Sequence, residues 1–260
     1  MKIVIITQED SFAVPKNIKK ILELDFAEVV RVININSSQS LVNKKDLFIK
    51  GFGLLQSAKM GFSVVYNKIL DILDSFTGYK LPILSRSLKS VSVKNKIQYQ
   101  EINNPNDQNF LDELRALSPD LVVSYSAPLI FRKELLSIPK HGCINLHCSH
   151  LPSYAGVMPS FWTLYNGEKN TGVTVHYMDS KIDNGKILGQ KTVSISPNET
   201  MFTLIKKTKE IGGDVMCEVL SNIHNNTLEV LDNKVDRDKY YSWPTVENFK
   251  DFRKKGGRLI

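Results

Sequence analysis

The sequence predicts an α/β fold: a doubly wound, mostly parallel sheet with a helical insertion and a short C-terminal extension. Three observations carry that expectation. Short β-branched runs alternate with helix-patterned segments through the first 145 residues, the rhythm of βαβ crossovers. Runs such as Leu121–Tyr125 (LVVSY) are almost continuously apolar, as strands covered on both faces must be. The chain has 260 residues, enough to bury a large core, and no run approaches the roughly 18 apolar residues of a membrane span. No internal repeat or low-complexity stretch interrupts the pattern.

Taken in order, Lys2–Thr7 (KIVIIT) reads as a buried first strand whose rim loop begins at Gln8; no glycine lies between Gln8 and Pro15. Asn17–Leu24 reads as a helix and Glu28–Ile35 as a second strand. Residues 47–76 form a helical insertion. Phe48, Phe52, Leu54, Leu55, Met60, Val64, Val65, Ile69, Ile72 and Leu73 fall there at mixed three and four spacings. Lys50, Lys59 and Lys68 punctuate it, and Gly51, Gly53 and Gly61 predict a break in its first half. Its apolar positions are expected to pack on the sheet or cover a site; the alternative is a basic amphipathic helix that touches a membrane or a partner.

Leu84–Lys94 reads as a helix, Ile97–Ile102 as a strand, and Gln108–Leu117 as a helix stopped by Ser118-Pro119. Leu121–Tyr125 is the next strand, and Ser126–Ile130 a short, small and apolar loop. Gly142–Gly156 (GCINLHCSHLPSYAG) starts as a core strand with Cys143, Ile144 and Leu146. Strand alternation sets Asn145 and His147 on one face, about 6–7 Å apart. They project at a carboxyl end, where open α/β sheets hold ligands. Met158-Pro159-Ser160 opens a helix, and Thr171–Asp179 and Ile187–Ile195 are strands joined by a turn carrying Asp183 before Asn184-Gly185. Pro197–Thr200 caps a helix over Met201–Asn225.

Residues 1–225 therefore read as one α/β domain and 226–260 as an extension. The extension is first polar, then mixes aromatics (Tyr240, Tyr241, Trp243, Phe249) with Arg253, Lys254, Lys255 and Arg258. Such a tail either stacks a base and binds phosphate or packs its aromatics and leaves its charges in water.

Lys plus Arg (34) exceed Asp plus Glu (27), giving a net charge of +7, which favours an anionic ligand without demanding nucleic acid. Cys143, Cys148 and Cys217 have neither metal-type spacing nor an even count for a disulfide framework, and the amino terminus turns polar too soon for a secretory signal. A cytoplasmic protein is expected. His141, Cys143, His147, Cys148 and His150 crowd one stretch, but strand geometry spreads them too far to meet at one ion, so no metal is expected.

NLHCSHLPSYAG followed, after a helix, by TGVTVHYMDSKIDNGKI resembles the folate-dependent formyltransferases, which act on methionyl-tRNA, on glycinamide ribonucleotide or on nucleotide-linked amino sugars. The resemblance runs from about Phe110 to Gln190 and takes in Pro119–Phe131 and Ile138–Asn145. It implies a Rossmann-like fold and formyltetrahydrofolate as co-substrate. By the same resemblance the catalytic residues are Asn145, His147 and Asp183, and Ala127, Leu129, Ile130, Asp179 and Ile182 bind the folate. The chemistry suits those residue types. Attack of an amine on a formyl carbon makes an oxyanion, which an amide stabilises, and releases a proton, which an imidazole held by a carboxylate accepts. His176 reads as a packed strand histidine outside the triad.

Two positions depart from the family: Ala155 stands where tRNA and sugar enzymes often carry Arg, and Ser126 where several relatives have Gly. The missing glycine-rich loop after the first strand counts against glycinamide ribonucleotide, and the 35 residues of 226–260 are too few for the β-barrel of the tRNA enzymes. The acceptor expected is the primary amine of a nucleotide-linked amino sugar, ahead of tRNA. The rival from another class is a folate-binding module without catalysis. The aromatic tail and the second half of the sheet offer a homodimer surface.

Overall fold

The computed structural model of the chain describes residues 1–10, 12–36, 44–81, 87–236 and 240–260. Its strands are β1 (Lys2–Thr7), β2 (Glu28–Ile35), β3 (Gln98–Ile102), β4 (Leu121–Tyr125), β5 (Cys143–His147), β6 (Asn170–Tyr177) and β7 (Ile187–Ser194). Among the described residues they form one seven-stranded sheet in the order β3-β2-β1-β4-β5-β6-β7. The first five run parallel, and β6 and β7 add antiparallel pairings at the far edge. Order reverses between β1 and β4, so their carboxyl ends open a crevice there.

The helices are α1 (Val14–Leu22), α2 (Lys44–Phe52), α3 (Leu54–Phe76), α4 (Leu88–Lys94), α5 (Gln108–Leu117), α6 (Lys133–Leu136), α7 (Pro159–Tyr165), α8 (Met201–Asn225) and α9 (Val246–Lys254). None of the described helices is long and apolar enough to cross a membrane. Period-two alternation divides the core into two layers. Ile3, Ile5, Val32, Val123, Ile144 and Leu146 face α1 and α8, meeting Ile18, Ile21, Val215, Met216 and Val219. Val4, Ile6, Ile33, Val122 and Cys143 face the other way, against Phe110, Leu111 and Leu114 of α5. Asn145 and His147 share the parity of Cys143, so they continue this second face beyond its apolar cover.

A third cluster unites elements distant in sequence. Phe52 of α2, Phe161 of α7, Met201 of α8, and Phe249, Phe252 and Leu259 of the extension are all buried together. Of the two readings of the tail, packing is the one observed, and α9 opens with a Thr245/Asn248 capping box that the sequence reading did not mark as a helix start.

Two expectations are corrected. Helix α1 begins three residues before Asn17, because Pro15 fits a first turn and Asp10 accepts hydrogen bonds from the Phe12 and Ala13 N–H groups (2.8 and 3.2 Å). The insertion breaks at Gly53, whose φ of +82° suits glycine. Its first helix packs on α9, but α3 does not place its apolar stripe on the sheet or over the site: Leu54, Leu55, Phe62, Ile69, Leu73 and Phe76 are exposed. The predicted helix start at Leu84 lies outside the described residues; the helix is observed from Leu88.

Candidate active site

A cleft of about 790 Å³ opens at the carboxyl ends of β1, β4 and β5. Strand β5 delivers Asn145 and His147 to its floor, both nearly buried. The turn between β6 and β7 brings Asp183 to them. Its Oδ1 lies 3.6 Å from Nδ1 of His147, and its Oδ2 accepts the Gly156 N–H at 2.8 Å. Asp183 sits at φ +52°, a left-handed conformation uncommon for a non-glycine residue, next to Gly185, where a Cβ would come within 1.8 Å of the Tyr177 carbonyl oxygen. The turn is therefore pressed onto the end of β6.

The hydrogen bonds fix the orientation of each group. Asn145 Oδ1 accepts from the Ser126 N–H (3.3 Å), so its Nδ2 is the donor end, facing Nε2 of His176 at 3.3 Å. His176 donates Nδ1–H to the Tyr177 carbonyl (2.7 Å), which leaves its Nε2 lone pair to receive that amide hydrogen. One Nδ2 hydrogen of Asn145 remains. His147 donates Nε2–H to the Tyr154 carbonyl (3.0 Å), so its Nδ1, facing Asp183, is the nitrogen available for proton exchange. Burial lowers the pKa of His176 below its usual 6.5; Asp183 opposes that shift and His147 adds to it. Its Nε2 lies 3.8 Å from Asp183 Oδ1, so one carboxylate oxygen faces both imidazoles.

The three residues read as a triad are thus brought together. Ala127, Leu129, Ile130, Asp179 and Ile182 all line the cleft as well. Leu129, Ile130 and Ile182 leave apolar surface exposed. The Asp179 carboxylate accepts from the Lys181 N–H (2.7 Å) and from Asn184 Nδ2 (3.3 Å), so it shapes the loop that carries Asp183. Ser126 takes φ +54°, a conformation glycine adopts without strain, and this turns its N–H onto Asn145. Ala155 points away from the cleft and is buried with Leu151 and Ile187, so the position offers no charge to a ligand.

Four features escaped the sequence reading. His176 is the first, and its signal was its place opposite Asn145 in the β5–β6 register. Asn233 of the extension donates to the carbonyls of Asp183 and Gly185 (2.8 and 3.0 Å) and clamps the turn. Tyr241 pairs its backbone with the 155–157 loop and stacks on Tyr154 at 5.1 Å, while Tyr240 and Trp243 line the cleft. No local pattern announces these contacts. Lys209 of α8 lines the cleft and pairs with Asp10. Burial opposes the charge of both groups, yet each holds the other ionised: Asp10 is net lowered and Lys209 net raised. Among the described residues no group of three or more His, Cys, Asp or Glu is placed to hold a metal ion.

A doubly wound sheet with an amide, two imidazoles and a carboxylate gathered at its switch point defines an α/β protein with the groups for acyl-type transfer at one crevice. The chain belongs to the formyl transferase family: the family model described as Formyl transferase matches residues 73–220, more than half of its length. It is 36% identical over 189 residues, 73% of this chain and 28% of the relative, to the bifunctional polymyxin resistance protein ArnA of Wigglesworthia glossinidia brevipalpis. It is 41% identical over 122 residues, 47% of this chain and 40% of the relative, to the methionyl-tRNA formyltransferase of Thermodesulfovibrio yellowstonii. The chain thus spans less than half the length of these curated relatives. Among solved structures, the N-formyltransferase of Helicobacter canadensis, crystallised with folinic acid and dTDP-3-aminofucose, superposes with a TM-score of 0.61 at 19% identity, over 97% of this chain and 80% of that one. Glycinamide ribonucleotide transformylase 1 of Symbiobacterium toebii gives 0.60 at 15% identity, over 89% and 94%. At these identities the structures speak for the fold.

Proposed function

We propose that the protein transfers a formyl group from formyltetrahydrofolate to the primary amine of a nucleotide-linked amino sugar. The observation that carries this reading is the approach of Asp183 to His147 beside the oriented Asn145 amide, on the floor of a partly apolar cleft. A pterin requires a flat apolar slot edged with backbone polar groups. The loop 126–130 and Ile182, with their exposed apolar side chains, fit it. Bound there, formyltetrahydrofolate supplies an activated formyl carbonyl.

The remaining steps belong to the chain. The unclaimed Nδ2 hydrogen of Asn145 stabilises negative charge developing on the formyl oxygen. Nδ1 of His147 takes the proton that the attacking amine loses, and the imidazolium is held by Asp183. His176, kept neutral by burial, positions Asn145 without touching the reacting atoms. Lys181 brings positive charge to the cleft wall, and Tyr240 and Trp243 bring aromatic surface, which suits a nucleotide with its phosphates.

A glycinamide ribonucleotide acceptor is disfavoured by the β1–α1 loop, where the Asp10 carboxylate already occupies the Phe12 and Ala13 N–H groups just before α1. Methionyl-tRNA is the second reading, favoured by the 41% identity over 122 residues to a methionyl-tRNA formyltransferase. Three unbridged cysteines support a reducing, cytoplasmic setting. The test is release of tetrahydrofolate by the purified protein given formyltetrahydrofolate and, separately, nucleotide amino sugars, methionyl-tRNA and glycinamide ribonucleotide. Turnover with an amino sugar, lost in His147→Ala, is the expected result. Folate binding without turnover on any amine would reduce the protein to a binding module.

A further inference from the structure

Helix α3 is turned inside out. Its two buried residues are polar: Asn67, and Asp74, whose carboxylate takes Lys94 Nζ at 2.8 Å and the Leu81 N–H at 3.0 Å. Asp71 on the same side accepts from Ser87 Oγ at 2.5 Å. The outward side is apolar throughout. Leu55, Ala58, Phe62, Val65, Ile69, Ile72 and Phe76 succeed one another at spacings of three, four, three, four, three and four. That is a 3.5-residue period sustained over three heptads, the seam of a helix laid alongside another helix. Leu54, Tyr66 and Leu73 widen the stripe to roughly 120° of arc over about 34 Å of helix. Phe62 and Phe76 keep 73% and 83% of their surface exposed.

We propose that this stripe is the interface of a homodimer in which two copies of α3 pack antiparallel about Val65. Three arguments select a second copy over other occupants. Size is the first: nine large side chains of the stripe, each about half exposed or more, present on the order of 1,000 Å² of apolar surface. A monomer's largest patch is about 300–600 Å², and a standard interface takes about 800 Å² from each partner. Self-complementarity is the second. Inversion about Val65 sets the small Ala58 against Ile72 and brings Leu55 and Phe62 within one residue of Phe76 and Ile69, so that small and large side chains interdigitate. Charge is the third. The stripe carries no charge, and its flanking lysines are Lys59 and Lys68; inversion places them at the levels of Asp71 and Phe62, so no lysine meets a lysine. An anionic lipid surface would suit lysine flanks too, but it imposes no heptad period. The tail aromatics, which the sequence offers as a dimer surface, are instead used within the chain.

Sedimentation velocity of the full chain at micromolar concentration tests the proposal. A species of twice the 29.5 kDa chain mass is expected, and Ile69→Asp should halve it while leaving the far-UV circular dichroism spectrum unchanged. Because Ile69 is half exposed, its replacement spares the fold. Cysteine crosslinking fixes the geometry independently. Val65→Cys should form a disulfide-linked dimer with itself, whereas Leu55→Cys should crosslink only when mixed with Phe76→Cys. A monomer at every concentration, a dimer that survives Ile69→Asp, or self-linking of Leu55→Cys equal to that of Val65→Cys would overturn the arrangement. So would a monomer that floats with phosphatidylglycerol vesicles, which would assign the stripe to lipid.

Discussion

His176 decides how Asn145 points. With Nδ1–H given to the Tyr177 carbonyl, only the neutral ring offers Nε2 as an acceptor, and protonation would set two donors face to face at 3.3 Å. Replacing Asn145 by Ala removes the oxyanion donor and should lower kcat by about a hundredfold or more. Replacing His176 by Phe leaves the donor present but loosely aimed. A fall in kcat of roughly 10- to 100-fold with KM little changed is expected, readable in the rate of tetrahydrofolate release. The same histidine gives a sign to the pH dependence of stability. Its folded pKa lies below 6.5, so as pH falls below that value the unfolded chain takes a proton that the folded chain refuses. Stability contributed by the neutral ring is present above pH 6.5 and is lost as pH drops toward the folded pKa. Urea midpoints measured at pH 7.5 and 5.5 should therefore converge in His176→Phe relative to wild type.

At the scale of elements, the loops of the site are held in place by a strap that the motifs do not reveal. Gly156 has φ +114°, and a Cβ there would lie 2.1 Å from the Tyr241 carbonyl oxygen, which accepts the Val157 N–H at 2.8 Å. Gly156→Ala must push the strap off the loop whose N–H holds Asp183. A loss of about 1–3 kcal/mol in a denaturant titration is expected, with faster proteolysis after Asn225. Asn233→Ala should cost about 1–3 kcal/mol of local stability by stranding the Asp183 and Gly185 carbonyls, seen as faster amide exchange in residues 179–185. The strands and most helices were legible because period and punctuation are local: Glu28–Ile35, Gln108–Leu117, Leu121–Tyr125 and Met201–Asn225 run as read. Asn145 and His147 were legible for the same reason. Asn233 and Tyr241 were not, because their partners lie dozens of residues away and a polar or aromatic tail residue looks alike whether it clamps a turn or faces water. The outward stripe of α3 was misread because periodicity tells which side is apolar, not which side meets the core.

For the whole molecule, the boundary drawn at Asn225 separates composition but not packing. Phe249, Phe252 and Leu259 are buried against Phe52, Phe161 and Met201, so the extension completes the same cluster that seats α2 and the start of α7. Full burial of each such side chain contributes roughly 1.5–3 kcal/mol, and three of them amount to a large share of the 5–15 kcal/mol that holds a typical domain folded. A chain stopped at Asn225 would expose Phe52 and Phe161 and lose the Asn233 clamp and the Tyr241 pairing together. Its melting temperature should fall by about 10 °C or more, taking a shift of roughly 2–4 °C per kcal/mol for a chain of this size. Amide exchange should rise first in residues 44–52 and 154–165, the segments that the extension covers. A truncated chain that melts within a few degrees of the full one and keeps its turnover would show 226–260 to be a separable appendage, and the strap would then have no part in forming the site.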